Sequence, residues 1–208
     1  MEVHMNYDQL ASEETINKTI LALKDRSVIA ELVKTRSDAL AKLREMIPAN
    51  ADVVTGSSTT LDEIGFVDLL KSGNHPWHNL KDQIVAEKDP DKQTKLRQKS
   101  ITADYFLGSI HAITETGQIL VASATGSQLP SYAFSSDHVI WVVGVQKIVP
   151  TLDDAFKRLK EYVFPLEDQR MKNAGYLGST IGKLLIFEKE TMPNRKLNLI
   201  FVLEKLGF

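Results

Sequence analysis

The sequence predicts a single α/β domain: a mostly parallel sheet flanked by helices, with some strands paired as antiparallel hairpins. Three observations carry this. Over the first 70 residues, short apolar runs alternate with helical patterns, helix at 7–25, strand at 27–33, helix at 37–47, then strand, glycine-containing loop and helix within 51–70. Such alternation implies parallel pairing with right-handed crossovers. "HVIWVVG" (138–144) is a continuous β-rich apolar run of the kind found in strands covered on both faces. And "HAITETGQILVASATG" (111–126) reads as two apolar strands joined by a Thr-Gly turn.

Each element has a local reason. In 7–25, Leu10, Ile16, Ile20 and Leu23 fall at mostly helical spacing. "SDALAKLREMI" is amphipathic, with Ser37 or Asp38 as its expected cap and Pro48 beyond its end. Residues 71–90 are the least regular part, with Pro76 and Pro90 bracketing a helical stretch, and a helix near 91–101 leads into "ADYFLGS". At 151–163 Thr151 is the expected cap, with Asp153 and Asp154 in the positive first turn. A further helical turn or two at 165–175 ends at Gly175. The strands 182–190 and 196–208, separated by "TMPNR", bring the expected number of strands to about seven.

Composition excludes several functions. The chain has 208 residues, 43% hydrophobic and 25% charged, which suits one domain with a full core. Its net charge of -2 supplies no basic face for nucleic acid, and the locally basic "EKDPDKQTKLRQK" reads as a solvated helix face. With no cysteine it has no disulfide, thiolate nucleophile or iron–sulfur ligand. The N-terminus carries no apolar signal core, and no run approaches the roughly 20 apolar residues of a bilayer span. The expectation is a soluble cytoplasmic protein without nucleic-acid or membrane partners.

Four segments offer chemistry. "TGSSTT", with Gly56, Ser57, Ser58, Thr59 and Thr60, follows a strand and opens a helix. Its hydroxyls and free N–H groups suit an anion, or serve simply as a helix cap, and it lacks the Gly-Lys-Ser/Thr ending of a P-loop. Glu115, with Thr116 and Gly117, sits between two core strands, where a carboxylate is a nucleophile, a general base or a structural acceptor for local N–H groups. "SATGSQLPS", with Ser123, Thr125, Gly126, Ser127 and Gln128, offers a second strand-to-helix connection able to take an anion. Lys147 follows the buried strand and either reaches a ligand anion or points to solvent. The pair His75 and His78 lacks a third metal ligand, His111 and His138 carry no separate signal, and no cofactor motif or metal site is assigned.

The run "ADYFLGSIHAITETGQILVASATGSQLPSYAFSSDHVIWVVGVQKIVPTLDDAFKRL" (103–159) resembles the LUD-domain, or lactate-utilisation, family. The likeness extends back to "VVTGSSTTLDEIG" and forward to "GKLLIFEKE" and "NLIFVLEKLGF". It implies a LUD domain over 27–208 after an N-terminal helical segment, 1–26. It also implies a three-layer, Rossmann-like fold shared with ribose-phosphate isomerases, glucosamine-phosphate deaminases and CoA transferases. "TGSST" is similar to the phosphate loop of the isomerases, with serine at their second glycine. "TETG" is similar to the Ser-Glu-Asn-Gly motif of CoA transferases, with Glu115 at the acyl-attacking glutamate and Thr116 in place of Asn. The family works beside iron–sulfur proteins that oxidise lactate. The resemblance therefore implies a non-redox component of organic-acid metabolism that binds a small anionic metabolite, with an iron–sulfur protein as a possible partner. The alternatives are an acyl or CoA transferase with Glu115 as nucleophile, and an assembly partner of the iron–sulfur protein. Oligomeric state is not legible at this level.

Overall fold

The computed structural model describes residues 7–208, so the first six residues of the expected N-terminal segment lie outside the described residues. The first helix, α1 (Glu13–Asp25), starts where the Ser12 hydroxyl accepts from the Thr15 N–H and buries Ile16, Thr19 and Leu23 on one stripe. Next come β1 (Val28–Val33), α2 (Arg36–Met46) and β2 (Asp52–Thr55). The cap of α2 is Thr35, in a capping box with Asp38, so Asp38 is the third helical residue rather than the cap. The expected single helix after β2 is two, α3 (Thr59–Glu63) and α4 (Phe66–Ser72), broken at Gly65, which adopts φ 80°.

The irregular 71–90 stretch holds a two-residue strand, β3 (His78–Asn79), and α5 (Leu80–Ala86), capped by the Asn79 side chain. In α6 (Pro90–Ser100), Asp89 caps and Pro90 occupies the first turn, where its missing N–H leaves no bond unmade. Then follow β4 (Tyr105–Gly108), β5 (Ala112–Thr114), β6 (Ile119–Ser123), β7 (His138–Gly144) and β8 (Ile148–Val149). A five-residue π turn at 131–135 lies between β6 and β7. Thr151 caps α7 (Leu152–Arg158), as expected. The helical path continues unbroken through a π stretch, 159–163, into α8 (Phe164–Asn173). Pro165 cannot donate to the turn before it, and the wider π turn lets the chain pass that gap without stopping. Strands β9 (Lys183–Phe187) and β10 (Lys196–Val202) complete the order.

The strands form two sheets. A parallel six-stranded sheet has the order β1-β10-β7-β4-β2-β3, and its two longest strands, β10 and β7, are almost entirely buried. The hairpin strands do not extend it. They build a separate four-stranded sheet, β8-β5-β6-β9, with antiparallel β5/β6 and β6/β9 pairs. Alternate residues of the parallel sheet divide between two cores. Val53, Leu107, Ile140, Val142 and Ile200 pack under α2, α3 and α4. Val54, Phe106, Val139, Trp141 and Leu199 pack against α1 and the second sheet. The far face of that second sheet, through Ala112, Leu120 and Val149, carries α7 and the π stretch.

One buried ion pair holds the turn before β7. Arg195 bonds to Glu190 and donates to the carbonyls of Ser131, Tyr132, Ala133 and Ser136. Those π-turn carbonyls have no helix to satisfy them, and one guanidinium does so.

Candidate functional site

The chain leaves β2 outward to β3 and leaves β4 inward to β7, so successive connections diverge at the β2/β4 carboxyl ends. The helices α3 and α4 then lie on one face of the sheet, while Leu80 of α5 packs on the other. Such reversal points open a crevice in parallel sheets. Here the crevice is a cavity of about 580 Å³, within the roughly 300–1,000 Å³ usual for small-molecule sites. Residues 55–60, 109–111, 122–125, 127, 128 and 179–181 line it, together with α8.

The structure brings most of the sequence-derived residues together. Gly56, Ser57, Ser58, Thr59, Thr60, Ser123, Thr125, Ser127, Gln128 and Lys147 all line this cavity. A Cβ on Gly56 would lie 2.4 Å from Gln128 Oε1 and would push that amide aside. That close approach joins the 55–60 and 123–128 loops. Gly126 turns away and packs against the Lys183 stem.

The expected helix-terminus anion sites are weaker than the sequence suggests. The helix opening at Thr59 has only five residues, and the Ser58 hydroxyl already caps it at the Leu61 N–H. The 123–128 connection leads to a π turn, and its hydroxyls close the loop on itself: Ser123 Oγ accepts from Gly126 N, and Thr125 Oγ1 from Ser127 N.

The field in the cavity comes instead from side chains. Lys147 is 2% exposed and donates to Thr60 Oγ1, Ser109 Oγ and the Ile110 carbonyl, each at 3.1 Å. Burial pulls its pKa from 10.5 down to about 7, with the Arg158 guanidinium adding to the fall and Glu63 opposing it. At the other end of the loop, half-buried Lys81 donates to Thr55 Oγ1 at 3.3 Å, and burial lowers its pKa too. Arg97 at the mouth reaches only Gln93. Among the described residues none of these three cations forms an ion pair. Arg170 is neutralised by a two-point pair with Glu167. The lining thus carries positive charge in excess. His111 on the wall accepts the Ala122 N–H at Nδ1 and is held neutral by burial and by Lys147 and Arg158.

Sequence reasoning did not single out Lys81, Arg97 or Arg158. Arg97 belongs to the segment read as a solvated face, and most of that face is indeed exposed. Arg158 reads as a surface arginine of an amphipathic helix. It is instead fully buried, donates to the His111 carbonyl and stacks its guanidinium on Tyr7 and Tyr162. None carries a local motif; the packing of α5 and α6 brings Lys81 and Arg97 to the cavity, while that of α7 buries Arg158, which does not line it.

Glu115 is not in this crevice. Glu115, Thr116 and Gly117 are the tip of the β5/β6 hairpin, a three-residue loop in which Gly117 adopts φ 85° and donates to the Thr114 carbonyl. Glu115 pairs with Lys18 at 2.7 Å in a shallow groove beside α1, shared with Arg26 and Lys189. The turn, not a catalytic cleft, explains how a carboxylate stands between two core strands. The histidines of "HPWH" also have separate environments: His75 lies 3.1 Å from the Leu70 carbonyl and stacks on Trp77, while His78 meets Asp52. Among the described residues no cluster of three or more potential metal ligands occurs, and no helix is long and apolar enough to cross a membrane.

A crystal structure of a DUF162 family protein from Deinococcus radiodurans superposes with a TM-score of 0.53 at 14% identity, covering 93% of this chain and 99% of that one. At that identity the likeness establishes the shared fold. Among curated proteins no sequence matches the chain. The family model of the LUD domain matches residues 16–205, nearly the whole of the chain, including α1, both sheets and the crevice between them. This chain belongs to the LUD-domain family.

Proposed function

We propose that the protein binds a small anionic metabolite in the β2/β4 crevice and acts as a non-redox component of organic-acid metabolism, in keeping with the family's association with lactate utilisation. The observation that carries this reading is the Thr55–Thr60 loop held between two unpaired ammonium groups, Lys81 at Thr55 and Lys147 at Thr60. Cations without counter-ions in a half-enclosed cavity favour a ligand that brings its own negative charge. A volume of about 580 Å³ leaves room around a three-carbon acid. The chain has no cysteine and so no thiolate ligand for an iron–sulfur cluster of its own; in this reading a separate iron–sulfur protein is the redox partner. The glutamyl-thioester alternative loses its geometric support, since Glu115 lies in the outer groove.

Isothermal titration with L-lactate, pyruvate, a sugar phosphate and a CoA ester tests the proposal. Saturable binding of at least one, weakened by Lys81→Met, is the expected result. A folded protein that binds none of them refutes it.

A further inference from the structure

We propose that Lys147 is an amine nucleophile that forms an imine with a carbonyl compound bearing an anionic group, a 2-oxo acid or a phosphorylated ketose or aldose. The inference deepens the anion-binding reading above and rests on it. Four features of the site lead there.

Lys147 is held rather than flexible. Its Nζ has three oxygen neighbours at 3.1 Å, Thr60 Oγ1 in the first turn of α3, and Ser109 Oγ and the Ile110 carbonyl in the loop after β4. Gly207 passes so close that a Cβ there would lie 3.3 Å from Nζ. A lysine so confined has already lost the rotamer freedom that a long side chain gives up on reaction.

The same neighbours accommodate both protonation states. As an ammonium, Lys147 donates to all three oxygens. As an amine, it keeps a bond to the Ile110 carbonyl while the Thr60 hydroxyl, whose own bond to the Leu206 carbonyl is long at 3.4 Å, turns to donate to its lone pair. A site built only to hold an ammonium would place a carboxylate at contact distance. Of the charged groups around it, Arg158 on α7 repels the ammonium and Glu63 on α3 is not an ion-pair partner. Glu63 accepts instead from the Gly207 N–H. His111 on the wall is neutral. The free amine is thus substantially populated near neutral pH, and an amine, not an ammonium, attacks carbonyl carbon.

The anionic part of the partner has a place beside the nucleophile. Loop 55–60 runs from Lys147 at Thr60 to Lys81 at Thr55. Both lysines line the one cavity, so an anionic group drawn to Lys81 and a carbonyl at Lys147 share a single enclosed space.

The step balances without redox chemistry. Neutral Nζ adds to the carbonyl carbon, a C–N bond forms, and the C=O π pair moves to oxygen. That oxygen takes a proton from nitrogen, relayed by water or by the Ser109 and Thr60 hydroxyls. The carbinolamine oxygen takes one further proton from solvent and leaves as water, while the nitrogen lone pair forms the iminium C=N bond.

The test is reductive trapping of the unaltered protein at pH 7 with cyanoborohydride and, in separate arms, pyruvate, glyoxylate and dihydroxyacetone phosphate. Peptide mapping locates the adduct, and isothermal titration with the same compounds runs alongside. The expected result is an adduct on Lys147 at least tenfold above that on any other lysine. It should increase from pH 6 to 8 and be suppressed by an excess of L-lactate or inorganic phosphate, anions that carry no reactive carbonyl. The arm that labels fastest separates 2-oxo acids from phosphorylated sugars. Binding without a Lys147 adduct, or adducts spread over surface lysines, overturns this inference and leaves the anion-binding reading standing. A folded protein with neither binding nor adduct overturns both.

Discussion

Replacing Lys147 with methionine removes a buried ammonium and the electrostatic cost of enclosing it. Methionine has similar length, no charge and a flexible stem, so it fills the same space. In the unfolded chain the lysine titrates near 10.5, and in the folded protein at about 7. Well below pH 7 both states carry the proton, and the folded protein bears the whole penalty of a buried ammonium, about 5 kcal/mol at about 1.36 kcal/mol per pH unit; at pH 7, where the folded lysine is half deprotonated, most of that penalty remains. Between pH 7 and 10.5 the unfolded state binds more protons, so this contribution makes wild-type stability rise with pH. Above 10.5 the penalty is gone.

The substitution also removes hydrogen bonds. Thr60 and Ser109 keep bonds to the Leu206 and Val142 carbonyls, but the Ile110 carbonyl loses its lysine donor, at a cost of about 1–3 kcal/mol. Lys147→Met should therefore be more stable than wild type near pH 7 by about 2–4 kcal/mol. That advantage should shrink by as much as about 1.4 kcal/mol per pH unit towards pH 10. Urea unfolding of both proteins at pH 6, 7, 8 and 9 measures it. A stability difference that stays constant from pH 7 to 9 refutes the reasoning.

Other perturbations test other parts of the account. Arg195→Met strands the Glu190 carboxylate and four π-turn carbonyls, and should lower stability by about 3–5 kcal/mol in urea unfolding; a loss under 1 would mean that water replaces the guanidinium. Gly117→Ala forces an alanine to φ 85° with its Cβ 3.0 Å from Arg26 Cδ and 3.1 Å from the Ala22 carbonyl carbon, so a loss of about 1–3 kcal/mol in thermal unfolding is expected. Glu115→Gln breaks only the partly exposed pair with Lys18; stability should change by less than about 1 kcal/mol and metabolite affinity not at all, and a lost affinity would return the hairpin tip to the site. Lys81→Met should weaken binding of an anionic metabolite by about tenfold or more in calorimetry, with a smaller salt dependence than wild type.

What sequence alone determined about this protein is what short-range rules encode. Strand and helix alternate because apolar periodicity switches between two and 3.6 residues. Thr151 caps a helix because its hydroxyl reaches the Asp154 N–H three residues on. "TGSSTT" ends a parallel strand, so topology alone put it at the sheet's carboxyl edge, and its cavity position follows. The family likeness spans the same residues for the same reason: turn and cap chemistry is written locally.

Tertiary structure decided everything that depends on distant segments meeting. Glu115 and the Thr55–Thr60 loop both stand at strand ends, but the hairpin strands formed their own sheet, and that carried Glu115 to a groove beside α1. Lys81, Arg97 and Arg158 have no local pattern separating them from solvated surface residues; their place follows from how α5, α6 and α7 dock. Lys147 shows the difference most clearly. Its burial requires Thr60, Ser109 and Gly207, scattered across the chain, to close around one nitrogen, and its changed chemistry is a consequence of that enclosure. Desolvation is a property of the assembled surroundings, so no window of sequence contains it.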